Sequence, residues 1–319
     1  MKRTTLKVLA LSALFAGGLF SAYANAAEPM PVVASFSILG DLVKVVGGER
    51  VAVTTLVGPD SDAHTFEPKP ADAKTLLGSK LMVVNGLHFE PWAEKLAKSA
   101  NFKGDMVVAA KGVKPRAMPE EKGHEDKGHN DPKDQEAGGH QLHDIDPHAW
   151  QNPNNVIVYV RNIAAGLAKA DASGAATYQA NAEAYVKELQ ALDASIKTQL
   201  AAIPVAKRKV ITSHDAFGYF AAQYKMKFLA QQGVNTEAEP SAKEIGQLIG
   251  QIKREKVRAI FIENMSNPKM LAQLSKDAGA TVGGTLYSDA LSGADQAGSS
   301  YLKMMNHNLT QLLAGMKLN

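Results

Sequence analysis

The sequence predicts an α/β protein with two lobes, each built on a small parallel sheet flanked by helices and joined by one long linker helix. Two observations indicate this fold. Strand-like apolar runs alternate with stretches of helical spacing in both halves of the chain, a rhythm typical of parallel sheets covered by helices. Between the halves lies the segment 173–202, which is rich in Ala, Gln, Glu, Lys and Leu and contains no proline. A metal site is expected in the cleft between the lobes.

The first 26 residues have the pattern of a secretory signal peptide. They begin with three basic residues, Lys2, Arg3 and Lys7. A mostly apolar stretch follows at 8–23, which is short for a membrane span, and an Ala-Asn-Ala sequence at 24–26 matches a cleavage site. We therefore expect export to the periplasm as a soluble protein. The alternative is an uncleaved N-terminal anchor.

The composition excludes several classes of protein. The chain has no cysteine, so disulfides and attachment of lipid to an N-terminal cysteine are not expected. Its formal net charge of +3 is matched by the three basic residues of the predicted signal, so the rest of the chain is balanced. No basic stripe interleaved with aromatic residues is present, so nucleic acid is not an expected partner. A monomer is expected.

The N-terminal lobe is predicted to span residues 27–172. Its apolar runs predict strands at 31–36, 51–57, 81–85 and 106–109. Helical spacing between them predicts helices at 38–46, 71–77 and 91–99. A further helix is predicted at 156–169, after a start signal formed by Asn152 and Pro153.

Residues 116–147 interrupt this alternation. The segment has no aromatic residue and is dominated by charged residues, Gly and His, so it cannot bury enough apolar surface to become ordered. We predict a mobile, acidic loop. It holds four histidines that could form weak accessory metal sites: His124, His129, His140 and His143. The alternative is a solvated insertion whose histidines have no role.

The linker helix, 173–202, would be roughly 40 Å long at about 1.5 Å per residue, so we interpret it as a rigid connection between lobes. The C-terminal lobe, 203–319, repeats the alternation. Its predicted strands are 209–212, 227–230, 259–262 and 281–286, and its predicted helices are 216–223, 241–255 and 268–277. Ser241 and Glu244 have the spacing of a capping box at the start of one of these helices.

Three histidines and one aspartate lie near the ends of predicted strands or the start of a helix: His64, His148, His214 and Asp289. Three imidazoles and a carboxylate suit a borderline-soft divalent metal such as zinc. Ligands bind just past the carboxyl ends of strands in open parallel sheets. Residues this far apart in sequence can converge only at a site that the whole fold builds, with two ligands from each half. For any single histidine, a hydrogen-bonded structural role is the alternative.

Four motifs surround these residues: Asp62-Ala-His64-Thr-Phe-Glu-Pro68, Asp146-Pro-His148-Ala-Trp150, Ser213-His214-Asp-Ala-Phe-Gly-Tyr219 and Ser288-Asp289. With them the chain resembles the metal-specific periplasmic substrate-binding proteins of ABC transporters, the cluster A-I group. The resemblance covers essentially the whole mature chain. It implies two α/β lobes joined by a long helix, with the metal held between them by His64, His148, His214 and Asp289. It also implies the membrane permease of a metal importer as partner.

The resemblance implies zinc, because glutamate at the third ligand position goes with manganese in this family and histidine is common in zinc proteins. Nitrogen-rich ligation also favours zinc over manganese. A manganese- or iron-binding member of the same family is the alternative. A metal buffer without a transporter and a zinc hydrolase are further alternatives. Catalysis is not expected, because four protein ligands leave no position for water and no hydrolase motif is present.

Ligating histidines usually donate their second ring N–H to a carboxylate or a carbonyl. Glu263, Asp215 and Glu67 are the candidates for this role, because each lies close to a predicted ligand or to a strand end. His88 follows a strand and could approach the cleft. His307 lies in the terminal helix and is expected to be structural or exposed.

Overall fold

The computed structural model describes residues 28–118, 145–233, 236 and 240–319. The predicted signal peptide, 1–26, lies outside the described residues. So do the four histidines of the predicted loop: His124, His129, His140 and His143.

The N-terminal lobe is a four-stranded parallel sheet with the strand order β2-β1-β3-β4. Its strands are β1 (Met30–Phe36), β2 (Val51–Val57), β3 (Leu81–Val84) and β4 (Asp105–Val108). Its helices are α1 (Ser37–Gly47), α2 (Pro70–Leu77), α3 (Ala93–Ser99) and α4 (Pro153–Ala170). The central strands β1 and β3 are almost wholly buried, as expected of strands covered on both faces.

The C-terminal lobe has the equivalent order, β6-β5-β7-β8, again with every pair parallel. Its strands are β5 (Lys209–His214), β6 (Lys227–Gln232), β7 (Ala259–Glu263) and β8 (Thr281–Leu286). Its helices are α6 (Gly218–Tyr224), α7 (Ala242–Glu255), α8 (Pro268–Ala278) and α9 (Tyr301–Met316). The predicted fold class is confirmed.

Side-chain caps start several helices where the sequence predicts them. Ser241 Oγ accepts a hydrogen bond from Glu244 N at 3.3 Å, and Glu244 Oε2 accepts one from Ser241 N at 2.6 Å, which completes the predicted capping box of α7. Asn152 Oδ1 accepts a hydrogen bond from Asn154 N at 3.0 Å, and Pro153 occupies the first turn of α4. These caps satisfy backbone groups that a helix start leaves without partners.

The helix between the lobes, α5 (Ala175–Ala201), follows a short 3-10 turn at Ala172–Gly174. It packs against α4 and α1 on the N-terminal side and against α6 and α9 on the C-terminal side. Large side chains along its length are buried, including Tyr178, Tyr185 and Leu189. The helix therefore forms part of the core of the molecule as well as connecting its two halves.

Asp193 is a polar junction in the middle of α5. Its Oδ1 accepts hydrogen bonds from Asn154 Nδ2 in α4 and from Gln223 Nε2 and Tyr224 OH in α6, at 3.0 to 3.1 Å. Its Oδ2 accepts one from Lys197 Nζ at 2.6 Å. Burial opposes the charged form, but these hydrogen bonds outweigh it and lower the pKa of Asp193. One carboxylate thus ties the helix that follows His148 to the helix that follows His214.

Replacing Asp193 with alanine is expected to reduce the free energy of unfolding of the metal-free protein by about 1–3 kcal/mol, because the buried hydroxyl of Tyr224 and the more exposed amides of Asn154 and Gln223 lose a charged acceptor. Urea unfolding measures this change. The matched control is Lys197→Ala, which removes only the partner whose side chain is 54% exposed. That change should cost less than about 1 kcal/mol. Equal losses of unfolding free energy in the two variants would contradict the role of Asp193 as a junction between α5 and the helices α4 and α6.

Candidate metal centre

The structure brings the four predicted ligands together. Each of His64, His148, His214 and Asp289 offers one potential ligand atom, and these atoms all lie within 4.8 Å of one another. The side chains of His148, His214 and Asp289 are fully buried, whereas that of His64 is 7% exposed. The cluster therefore has the size of a single metal site and is closest to solvent at His64.

Both lobes supply two members of the cluster. His64 lies in the loop after β2, and His148 immediately precedes the 3-10 turn Ala149–Gln151 that leads into α4. His214 is the last residue of β5, and Asp289 lies in the loop after β8. His64, His214 and Asp289 thus lie at or beyond the carboxyl ends of parallel strands, where open sheets bind ligands, and His148 joins them from the turn before α4.

Asp289 lies at the centre of the cluster. Its Oδ2 is 3.0 Å from His214 Nε2 and 3.2 Å from His64 Nε2, and its Oδ1 is 3.6 Å from His148 Nε2. The Nε2 atoms of His64 and His148 are 3.3 Å apart. All three histidines therefore present the same ring nitrogen, Nε2, to one point.

The ring of His148 is oriented by Asp146. Asp146 Oδ1 lies 2.9 Å from His148 Nδ1 and also accepts a hydrogen bond from the backbone N–H of His148 at 3.0 Å. When Nδ1 donates its proton to this carboxylate, Nε2 carries the lone pair that a metal needs. Burial lowers the pKa of His148, but the carboxylates of Asp289 and Asp146 outweigh it and raise this pKa to about 9.

Glu263 holds His214 in the same way. Its Oε2 lies 2.5 Å from His214 Nδ1, and its Oε1 accepts hydrogen bonds from the backbone N–H groups of Ser213 and His214 at 2.8 and 3.0 Å. Burial opposes protonation of His214, but the charges of Glu263 and Asp289 raise its pKa well above the ordinary value. The pKa of Asp289 is lowered, because the two histidines outweigh the effect of burial.

The chemistry of this cluster fits a divalent cation. Asp289 Oδ1 is buried and has no hydrogen-bond partner among the described residues. A buried carboxylate oxygen without a partner is costly, and a cation satisfies it. Aromatic rings close the surrounding wall: the ring of Phe89 lies 4.7 Å from that of His64, and the ring of Trp150 lies 5.2 Å from that of His148. The arrangement can bind an ion with three nitrogens and a carboxylate away from bulk water.

The other candidates from the sequence lie elsewhere. Glu67 is exposed, and no contact between it and the three histidines is found in the described part of the chain. Asp215 is half-buried, and burial, followed by the nearby Asp146 charge, raises its pKa. His88 is exposed with a φ of 63°, and His307 Nε2 lies 2.9 Å from the carbonyl oxygen of Thr285. Of the three acidic candidates, only Glu263 contacts a histidine of the cluster.

Sequence reasoning did not select Asp146 and Asp62, although both stand in the motifs. Each lies two residues before a histidine of the cluster, and each accepts a hydrogen bond from the backbone N–H of that histidine, at 3.0 Å for Asp146 and 2.8 Å for Asp62. Asp62 Oδ2 also accepts a hydrogen bond from Thr236 Oγ1 at 2.6 Å. The repeated Asp-x-His spacing was the signal that could have found them.

The ends of the predicted loop 116–147 are part of the folded structure. Ala117 forms an antiparallel bridge with Ile145, and the backbone N–H of Asp146 donates to the carbonyl oxygen of Arg116 at 2.9 Å. Asp146 is 1% exposed. The folded flanks therefore extend further into this segment than its composition indicates, because hydrogen bonds to His148 and Arg116 hold Asp146 in place.

Deleting residues 119–143 should leave one tight metal site, because the cluster and both partners of the Ala117–Ile145 bridge remain. The additional weak sites should be lost with the loop histidines. Titration calorimetry of the deletion variant beside the full chain measures both effects. A full-length variant with the four loop histidines changed to asparagine is the control for shortening the chain. Loss of the tight site from either variant, or unchanged stoichiometry in both, would contradict this assignment.

None of the helices in the described ranges is both long and apolar enough to cross a membrane.

Comparisons with known proteins give consistent matches. Residues 32–315 match the family described as zinc-uptake complex component A, periplasmic. The manganese-binding lipoprotein MntA of Halalkalibacterium halodurans is 30% identical over 309 residues, which cover 97% of this chain and 96% of that protein. The iron-binding protein YfeA of Yersinia pestis is 30% identical over 291 residues, which cover 91% of this chain and 88% of that protein.

Among solved structures, the periplasmic zinc binding protein TroA of Treponema pallidum is similar, with a TM-score of 0.78 at 26% identity. The match covers 90% of this chain and 99% of that one. The three similar proteins are named for three different metals, so their names leave the choice of metal open.

Proposed function

This chain belongs to the family described as zinc-uptake complex component A, periplasmic, and we propose that it binds zinc with His64, His148, His214 and Asp289. In this proposal the protein delivers the ion to the membrane permease of an ABC-type metal importer. Relatives at 28–30% identity are named substrate-binding lipoproteins of metal and manganese ABC transporters. The observation that carries the proposal is the convergence, within 4.8 Å, of four metal-binding groups drawn from both lobes.

The donor atoms favour zinc. Three imidazole nitrogens and one carboxylate make a four-coordinate set of the kind that zinc prefers, whereas manganese prefers carboxylate and water oxygens. His148 and His214 each have a carboxylate on Nδ1, which orients Nε2 inward and increases its basicity. The histidines of the predicted loop are further nitrogen donors, which favour zinc over manganese as well.

A manganese- or iron-binding protein of the same family is the second candidate, and one structural observation favours it. Both oxygens of Asp289 face the histidines, Oδ2 at 3.0 Å from His214 Nε2 and Oδ1 at 3.6 Å from His148 Nε2. A bidentate aspartate would raise the number of protein donors to five, which suits a metal of higher coordination number. The manganese and iron named for two relatives agree with this candidate.

The contacts of the nearby acids support binding and release of an ion over catalysis. A catalytic zinc keeps a water ligand and needs a general base beside it. Here Asp146 and Glu263 lie behind the histidines, in contact with their Nδ1 atoms, and so do not face the point where a water would sit. The protein is therefore proposed to carry its ion and not to use it in a reaction.

Competition between zinc and manganese for the metal-stripped protein tests the assignment of the metal. Zinc should bind at least about tenfold more tightly, because affinity at nitrogen-containing sites rises from manganese to zinc. The same titration on the variant lacking residues 119–143 excludes a contribution from the loop. Equal or reversed affinities would favour the second candidate. Growth of a gene-deletion strain under zinc chelation tests delivery, and unimpaired growth would indicate a buffer without a transporter.

A further inference from the structure

One arginine contacts the carboxylate that orients His148. Arg116 Nη1 lies 3.2 Å from Asp146 Oδ2, while Asp146 Oδ1 is bonded to the ring and backbone of His148 at 2.9 and 3.0 Å. The backbone N–H of Asp146 donates to the carbonyl oxygen of Arg116 at 2.9 Å. The guanidinium and the imidazole therefore share one buried carboxylate, and the arginine is held to it by its backbone as well as its side chain.

The opposite lobe is shaped to receive this pair. Gly218 is the first residue of α6, and a Cβ atom there would come within 2.3 Å of both Arg116 Nη1 and Asp146 Oδ2. Any larger residue would displace the ion pair, so the absence of a side chain permits the close approach. The next residue, Tyr219, accepts a hydrogen bond from the backbone N–H of Arg116 at 3.0 Å through its hydroxyl. The Gly-Tyr pair of the third motif thus fixes Arg116 beside the metal centre.

Arg116 also offsets a concentration of negative charge. Four carboxylates surround the histidines: Asp146, Asp215, Glu263 and Asp289. Within the described ranges, Arg116 is the one lysine or arginine that forms an ion pair with any of these four. Its side chain is 30% exposed, whereas that of Asp146 is 1% exposed. A fixed positive charge so close to a site for a dication weakens binding of the ion, and sharing Asp146 reduces the charge that this carboxylate directs at His148.

We propose that Arg116 is a positioning residue that promotes release of the metal by withholding part of the Asp146 charge from His148. This role rests on the proposed function, in which His148 binds the ion. Without the guanidinium, Asp146 would direct its full charge at the Nδ1–H group of His148. Nε2 would then be a stronger donor, and the metal would leave more slowly. A protein that delivers its ion to a permease must release that ion, so a contact that keeps metal dissociation fast serves this function.

Chelator-driven zinc dissociation from the full-length protein, followed by stopped flow, tests the proposal. Arg116→Gln should slow dissociation by about tenfold, within the range that changes behind metal ligands produce. Arg116→Lys keeps the charge and should stay within about threefold of the unmutated protein. Dissociation that is unchanged or faster in Arg116→Gln would overturn the proposal, as would equal slowing in both variants. Thermal unfolding of the metal-free variants detects a purely structural effect.

A double-mutant cycle locates the effect at His148. In a His148→Ala background, Arg116→Gln should no longer change the dissociation rate, because the group it acts through is absent. Persistence of the full effect would show general repulsion between charges and would overturn the positioning role. If the unmutated chain bound no zinc tightly, the proposed function and this role would both fail. Tight binding with equal rates in all variants would overturn the role of Arg116 alone.

Discussion

Replacing His214 with alanine should weaken zinc binding by at least about a hundredfold while leaving the protein folded. A four-ligand zinc site is worth roughly 10–16 kcal/mol, so the loss of one ligand removes about 3 kcal/mol or more. The side chain of His214 is fully buried, and its Nε2 lies 3.0 Å from Asp289 Oδ2, at the centre of the cluster. His148→Ala and His64→Ala should have losses of the same order.

Competition with a chelator of known affinity measures these losses, and circular dichroism checks the fold. Two histidines outside the cluster give matched controls: His88→Ala and His307→Ala should leave zinc affinity unchanged, because neither residue is part of the four-residue group. Asp289→Ala should cost less if water replaces the carboxylate. Retention of full affinity by any of the three cluster histidine variants would remove that histidine from the ligand set.

The alternation of apolar runs and stretches of helical spacing predicted the two sheets closely, because the central strands are mostly buried. The predicted strand 281–286 coincides with β8, and 51–57 coincides with β2. The strand β5 is longer than predicted and ends at His214. Apolar periodicity cannot detect this extension, since Ser213 and His214 are polar residues that become buried through hydrogen bonds to Glu263.

The cluster itself could be predicted because short motifs mark its members. Its supporting contacts could not, because they join residues that no local pattern connects. Arg116 and Asp146 flank a long polar segment, and composition assigned both to a loop. Asp193 resembles any acid on a helix surface, yet it accepts hydrogen bonds from α4 and α6. Tertiary geometry, and not propensity, decides which polar residues are buried.

The affinity for zinc should rise steeply with pH from about 6 to about 9, and binding should release protons. The pKa of His148 is raised to about 9 and that of His214 well above its ordinary value, so both are protonated in the metal-free protein at neutral pH. Zinc binds only the neutral imidazole. Each proton that must leave weakens apparent binding by about tenfold for every unit that the pH lies below the pKa. Two such histidines give up to about a hundredfold per unit.

Titration calorimetry in two buffers of different ionisation enthalpy counts the released protons, and chelator competition at several pH values measures the slope. The same raised pKa has a second consequence for the metal-free protein. Protonated His148 stabilises the folded state fully below about pH 6.5, and this contribution is lost as the pH rises through about 9. Constant zinc affinity between pH 6 and 8 would contradict the conclusion that His148 and His214 are protonated in the metal-free protein.

Asp146→Asn separates the effect of the Asp146 carboxylate on the pKa of His148 from its effect on the binding of zinc by His148. The charge of Asp146 is one of the causes that raise the pKa of His148. In the variant, His148 should therefore lose its proton at lower pH, and the zinc affinity should rise less steeply with pH near neutrality. Above about pH 9, where protons compete little for His148 even in the unmutated chain, the variant should bind zinc about 10–100-fold more weakly, because the imidazole has lost its charged partner. The two affinity curves should therefore converge as the pH falls. Parallel curves would mean that Asp146 orients His148 without affecting its protonation.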